Sequence, residues 1–282
     1  MATWTLTLNC PDAAGIVATV SSHIYEHGGN ILDSRQHFEE LDNQFFMYVR
    51  FTADACTKSL EEFKESFVRL AGQFNMTWKL SSSVVKKRMA IMVSKYDHCL
   101  YDLLLRHRYK EFDVELPLIV SNHEDLRSVA EHFSIPFFCI PRTKENREEA
   151  DRACVKLFKE HKIDFAVMAR YMQILTPVLL DEYKNRIINV HHGFLPAFKG
   201  AKPYHQAYAK GVKLIGASSH YATEELDMGP LIEQETERVG HSHTVEDLIT
   251  VGRDIETKVL STAVKAHVED RISVYQNRTI VF

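Results

Sequence analysis

Residues 3–8 alternate polar and apolar side chains, which predicts a strand with one buried face. Pro11-Asp12 stops it, with Asp12 as a helix N-cap. Ile16, Val17, Val20 and Ile24 then place an apolar stripe on one helical face. Gly28-Gly29 closes that helix, because glycine takes the left-handed cap without a Cβ clash. Residues 30–38 and 44–51 read as two strands joined by the turn Leu41-Asp42-Asn43. Ser59 with Glu62 has the form of a capping box, and Leu60, Phe63, Phe67 and Leu70 follow at helical spacing. Met76, Trp78 and Leu80 alternate in a closing strand. The order over residues 1–82 is βαββαβ, the ferredoxin-like pattern.

Residues 83–88 turn polar and then basic, and read as a linker. Beyond them the period changes. Short apolar runs at 89–93, 116–121, 137–140, 165–169 and 187–190 alternate with helical stretches at 99–108, 124–132 and 144–160. A further helix starts at Thr176-Pro177. Continuous apolar strands between helices predict a Rossmann-like, mostly parallel sheet covered on both faces. Ligands of such sheets sit at the carboxyl ends of the strands. Residues 212–222 and 230–239 are β-rich and read as an antiparallel addition. Thr244 caps a long helix to about Val268, and 272–282 offer a final hairpin. The expected division is therefore 1–82, a linker at 83–88, and an α/β domain at 89–282.

Composition narrows the class. In 282 residues, 45% are apolar and 26% charged, which excludes a disordered chain, a collagen and a small disulfide scaffold. With 34 Lys and Arg against 38 Asp and Glu there is no basic footprint, so no nucleic-acid partner is expected. No apolar run approaches the ~18 residues of a membrane span, and Met1–Thr5 lacks the pattern of a signal peptide. Cys10, Cys56, Cys99, Cys139 and Cys154 form no CxxC pair. Free thiols of this kind point to a reducing cytoplasm.

The candidate chemistry lies late in the chain. Asn189 and His191 are two apart at a strand end and point to one side, with His192 pointing away. An amide beside an imidazole can polarise a carbonyl oxygen and move a proton, the two operations of acyl transfer. A satisfied core histidine near a turn fits the same residues. Asp227 lies in the loop between two β runs, downstream of His220, and reads as a turn former or as a catalytic carboxylate. His241-Ser242-His243 has no third ligand at useful spacing, so no metal centre is expected. There is no GxGxxG or GxxxxGK[ST]. The loop Ser94–Cys99 contains no glycine and carries Asp97, unlike a cradle for phosphate.

Several of these stretches resemble known families. Asn9–Val17 and His27–Ile31 resemble the two corners of an ACT regulatory domain. Asn189-Val190-His191, Leu195-Pro196, His220-Tyr221 and Leu226-Asp227-Met228-Gly229-Pro230 resemble the catalytic core of the folate-dependent formyltransferase superfamily. Ala169–Leu175 resembles that superfamily's folate-binding loop. With His191–Phe198, the whole arrangement is similar to the superfamily's deformylase branch, over essentially the full chain.

The resemblance implies hydrolysis of 10-formyltetrahydrofolate to formate and tetrahydrofolate, balancing the one-carbon folate pool and supplying formate, for example to purine synthesis. It implies no cofactor beyond the folate substrate. Catalysis would fall to Asn189, His191 and Asp227. Substrate would meet Met172, Gln173, Ile174, Leu175 and His220, with Arg147 either on the folate's glutamate tail or merely an exposed helix arginine. An amino-acid effector would sit at Asp12, Gly15, Ile16, Gly28 and Asn30, in a homo-oligomer, dimer or tetramer. Asp12 and Gly15 equally suit a cap and a close packing contact. Two positions depart from the pattern: Gln173 stands where relatives often have Arg, and Gly193 where deformylases commonly have Ser. The alternatives are a formyltransferase acting on an amine and a non-catalytic folate or amino-acid sensor.

Overall fold

The structure, a computed structural model, describes residues 2–52, 59–197 and 202–282. Met1, Cys56 and Phe198, which figure in the sequence reading, lie outside the described residues. The chain forms two compact units, Met1–Lys86 with Glu269–Tyr275 and Ile280–Phe282, and Lys87–Val268 with Gln276–Thr279.

The first unit runs β1 (Thr3–Pro11), α1 (Ile16–Glu26), β2 (Ile31–Glu39), β3 (Gln44–Thr52), α2 (Leu60–Gln73) and β4 (Thr77–Ser82). Its sheet has the order β2-β3-β1-β4 with antiparallel neighbours, the ferredoxin-like arrangement expected from the pattern. Trp4, Leu6, Leu8 and Cys10 point alternately inward onto Val20, Ile24, Phe63 and Phe67. The capping box forms in both directions: the Glu62 N–H donates to Ser59 Oγ at 3.2 Å and the Ser59 N–H to Glu62 Oε2 at 2.7 Å. Gly28, with φ 78°, ends α1 as expected, and the Gly29 N–H reaches back to the Ile24 carbonyl. Strand β3 buries both faces, because Phe46 and Tyr48 on its outer side pack against Phe282 and Tyr275.

Two details differ from expectation. Asp12 is not the cap of α1. Strand β1 continues to Pro11, the Asp12 N–H donates to the Asn43 carbonyl at 3.0 Å, and Gly15 at φ 94° is the residue that turns the chain into the helix. Val17 is 40% exposed. One position past Ile16 it lies ~100° further round the helix, off the buried stripe.

The second unit runs β5 (Lys87–Val93), α3 (His98–Arg108), β6 (Val114–Ser121), α4 (Arg127–His132), β7 (Phe137–Cys139), α5 (Arg147–Glu160), β8 (Phe165–Met168), α6 (Pro177–Leu180), β9 (Ile187–His191), α7 (Pro203–Ala209), β10 (Leu214–Tyr221), β11 (Leu231–Arg238) and α8 (Val245–Val268). A short pair, β12 (Ile272–Tyr275) and β13 (Arg278–Val281), ends the chain. The seven-stranded sheet has the order β11-β10-β9-β8-β5-β6-β7. Strands β5 to β9 pair in parallel, and β10 and β11 add antiparallel at one edge. Helix α5 starts at Arg147 rather than Lys144, because Asn146 folds its amide back onto the Thr143 N–H and the Pro141 carbonyl. Among the described residues no helix is long and apolar enough to cross a membrane.

The topology fixes where a ligand can go. From β5 the chain winds one way through β6 and β7, and the other way through β8 and β9. The order reverses between β5 and β8, and the loops leaving these strands diverge there to open a crevice.

Candidate active site

A cavity of about 450 Å³ occupies that crevice, with walls from the loops after β5, β8 and β9. At one end four polar side chains converge. Strand β9 pairs antiparallel with β10 so that Asn189 lies directly opposite His220. Asn189 Nδ2 is 3.1 Å from His220 Nε2, and His220 Nδ1 is 2.9 Å from the Tyr221 carbonyl. Asp227 enters from the β10–β11 loop at φ 58°. Its Oδ2 lies 3.2 Å from His191 Nδ1 and its Oδ1 lies 3.7 Å from His220 Nε2. Gly229 makes this approach possible: a Cβ there would stand 1.8 Å from the Tyr221 carbonyl oxygen. The Asp227 side chain is only 6% exposed. Burial alone would raise its pKa, but hydrogen bonds and charge from His191 and His220 outweigh it and hold the carboxyl well below its usual range. At neutral pH it is a carboxylate.

The floor of the cavity is the loop after β8. Met172, Gln173, Ile174 and Leu175 all line it, with Met172 and Ile174 about half exposed. Arg147 does not line it; it begins α5 as a half-buried residue. At Gly193 the nearby hydroxyl comes from another strand: Ser218 Oγ donates to the Gly193 carbonyl at 3.0 Å.

The other end of the cavity carries a cluster that the sequence reading did not single out. Glu256 of α8 is 1% exposed. It accepts from Tyr204 Oη at 2.8 Å, lies 2.8 Å from His98 Nε2, and stands 3.2 Å from Arg170 Nη1. The Arg170 guanidinium also lies over the Tyr96 ring, 4.7 Å from its centroid. Gly252, one turn before Glu256, leaves room for the Tyr204 ring, which a Cβ would meet at 2.2 Å. Burial opposes the ionisation of Glu256, yet His98, Arg170 and Tyr204 hold its pKa down. Ligand-type atoms of His98, Cys99 and Glu256 lie within 4.8 Å of one another, but Arg170 already supplies the cation beside that carboxylate. One sign of this cluster was legible, since Glu256 interrupts the apolar stripe of Leu248, Ile255 and Val259.

His192 also faces the cavity, contrary to expectation, with its ring centroid 5.4 Å from that of His191. Strand alternation ends at His191, so His192 is not forced to the opposite side. Burial, then the Arg170 charge, lower its pKa from 6.5 to about 4. Unfolding releases that histidine to its ordinary pKa, so between these two values the unfolded state holds more protons. Stability is therefore expected to fall as pH drops from 6.5 to about 4. Replacing His192 with Asn should flatten that slope by about 2–3 kcal/mol, read by urea unfolding at pH 4.5 and 7.

The five residues proposed for an effector fall at the two ends of α1. Asp12 and Gly15 precede α1 and Ile16 opens it, whereas Gly28 and Asn30 follow it. The helix, eleven residues long, spans about 16 Å between its ends.

A buried carboxylate, two imidazoles and an amide at the carboxyl ends of a parallel sheet define a site suited to acyl transfer. Residues 87–264 match the family described as Formyl transferase. A formyltetrahydrofolate deformylase of Synechocystis sp. is 48% identical over 280 residues, 99% of this chain and 98% of that protein. One from Bacillus subtilis is 44% identical, over 98% of this chain and 93% of its own. The crystal structure of a formyltetrahydrofolate deformylase from Pseudomonas syringae pv. tomato superposes with a TM-score of 0.97 at 45% identity, covering 100% of this chain and 95% of that one. The chain belongs to the formyltetrahydrofolate deformylase family.

Proposed function

We propose that this chain hydrolyses 10-formyltetrahydrofolate to formate and tetrahydrofolate. The observation that carries the reading is the buried Asp227 carboxylate, 3.2 Å from His191 and 3.7 Å from the His220 Nε2 that Asn189 also meets, above a loop of half-exposed apolar side chains that suits a flat pterin. The formyl carbonyl lies between the Asn189 amide and His191, which stabilise the oxyanion as it forms. Asp227 orients the attacking water and helps relay its proton. The C–N bond then breaks, N10 of the folate takes a proton, and formate leaves. No electrons change hands and no further cofactor enters the reading.

Water is the acceptor because this cavity offers little to a phosphorylated amine. The loop after β5, Ser94–Asp97, has no glycine, and Ser94 Oγ is already committed to the Tyr171 carbonyl and lies 2.6 Å from Asn122 Oδ1. Formate release from 10-formyltetrahydrofolate is expected at the same rate with and without glycinamide ribonucleotide, with no formylated ribonucleotide by mass spectrometry. A formylated product appearing faster than formate overturns the hydrolase reading in favour of the transferase. Folate binding without turnover would support a sensor.

The ferredoxin-like unit is proposed as an ACT-type regulatory domain of a cytoplasmic homo-oligomer, a dimer or tetramer. Its effector is a small amino acid held at the Asp12–Ile16 corner, with Gly28 and Asn30 forming a separate group. An effector at a hundredfold excess over Kd raises stability by about 2.7 kcal/mol. A thermal-shift screen of the twenty amino acids, paired with rate measurements, is expected to find one that moves both. Absence of any shift at millimolar ligand removes the effector.

A further inference from the structure

The floor of the cavity, Arg170–Thr176, has no regular secondary structure. No ladder or helical repeat therefore fixes its backbone, and its shape depends on groups reaching in from elsewhere. One end is held through Arg170 and Glu256, and Ser94 holds the Tyr171 carbonyl. The far end is held differently. Arg142 Nη2 donates to the Ile174 carbonyl at 2.6 Å. The same guanidinium pairs bidentately with Asp151, on the first turns of α5. Asp151 Oδ2 in turn accepts from the Thr176 N–H at 2.7 Å and from the Thr176 hydroxyl at 2.8 Å. Both charged side chains are 0% exposed, and neither lines the cavity.

A buried ion pair is a poor way to gain stability, since apolar residues of similar volume often do as well or better. This pair does something an apolar pair cannot. Every further hydrogen bond described for its two ends goes to the loop, one to a carbonyl and two to Thr176. Between the anchored Tyr171 and Thr176 lie Met172, Gln173, Ile174 and Leu175, all of which line the cavity.

We infer that Arg142 and Asp151 are positioning residues that hold the backbone of Ile174 and Thr176 in the shape that accepts the pterin, and so set folate affinity rather than the rate of formyl hydrolysis. The inference rests on the proposed folate substrate. Loss of binding common to ground and transition states raises KM and leaves kcat alone.

The test uses the full chain with Arg142→Lys, Asp151→Asn, Thr176→Val and the paired Arg142→Met/Asp151→Leu. The paired variant leaves no unpaired buried charge, so it folds where a single variant fails to. Its KM for 10-formyltetrahydrofolate and its Kd for tetrahydrofolate, read by intrinsic fluorescence, are expected to rise at least tenfold, with kcat within threefold of the unaltered chain. Arg142→Lys gives a smaller rise, because an ammonium cannot serve the carboxylate bidentately and the Ile174 carbonyl together. Thr176→Val, which removes only the hydroxyl bond, gives the smallest. A folded paired variant with KM and Kd within twofold of the unaltered chain, whatever its melting temperature, shows a merely structural pair and overturns the inference. So does a loss confined to kcat. If the unaltered chain binds tetrahydrofolate but releases no formate, the hydrolase reading fails, while the Kd series still decides the role of the pair.

Discussion

Asp227→Asn is expected to lower kcat for formate release by about 10²–10⁴-fold, the usual cost of losing a positioned acid or base. The variant should keep its fold and much of its tetrahydrofolate affinity. The substitution keeps the shape of the side chain and an oxygen that can face His191 Nδ1, at 3.2 Å in the native site. It removes the charge. That charge is present throughout the working range, since His191 and His220 overcome the opposing effect of burial and hold the carboxyl below its ordinary pKa. A carboxylate whose pKa is depressed by folding adds stability above its unfolded value of about 3.9, and that stability is lost as pH falls below it. The unaltered chain should therefore lose more stability than the variant on acidification below about pH 4, compared by urea unfolding. Turnover within a few-fold of the unaltered chain would remove Asp227 from the reaction.

Much of this architecture is legible in the sequence because burial imposes a period. Trp4, Leu6, Leu8 and Cys10 alternate because one face of β1 is packed, and the central parallel strands carry apolar runs such as residues 89–93 and 165–168 because both faces are covered. The convergence of Asn189, His191, His220 and Asp227 was anticipated through resemblance, and the cross-strand pairing of β9 with β10 shows how the first three come to lie together. Periodicity does not report conformations that a single residue creates. Gly15 takes the capping position assigned to Asp12 because a positive φ turns the chain where a side-chain cap was expected. His192 turns to the cavity because the strand has ended.

Buried charge is the other blind spot. A pattern reading sends Arg, Asp and Glu to the surface, so it passes over Arg142, Asp151, Arg170 and Glu256, all of which lie inside. The arginine that the resemblance offered for the folate tail, Arg147, stands five positions after Arg142 and outside the cavity. Such residues can be enclosed only because each meets an opposite charge and further hydrogen bonds, and those partners are remote in sequence: Glu256 lies 86 positions from Arg170.

Asn189→Ala is expected to cost about 10²–10³-fold in kcat, the range for removing one donor to a developing oxyanion. Asn189 is well placed to act without reorganising. It stands on β9, paired with Met168 of β8 on one side and His220 of β10 on the other, so its backbone is fixed by two strands. Its amide nitrogen is 3.1 Å from His220 Nε2, which aims the side chain toward the group that also approaches Asp227. A donor held this way gains little from a neutral formyl oxygen and more from the same oxygen once it carries charge, so the loss belongs in kcat with KM changed by less than threefold. Combining the variant with Asp227→Asn separates a shared step from independent ones. If both side chains serve one tetrahedral intermediate, the double variant falls well short of the product of the two losses. Single-turnover formate release measures all three proteins on one scale. A loss from Asn189→Ala that appears wholly in KM assigns the amide to ground-state binding, and the oxyanion role then has to rest on His191 alone.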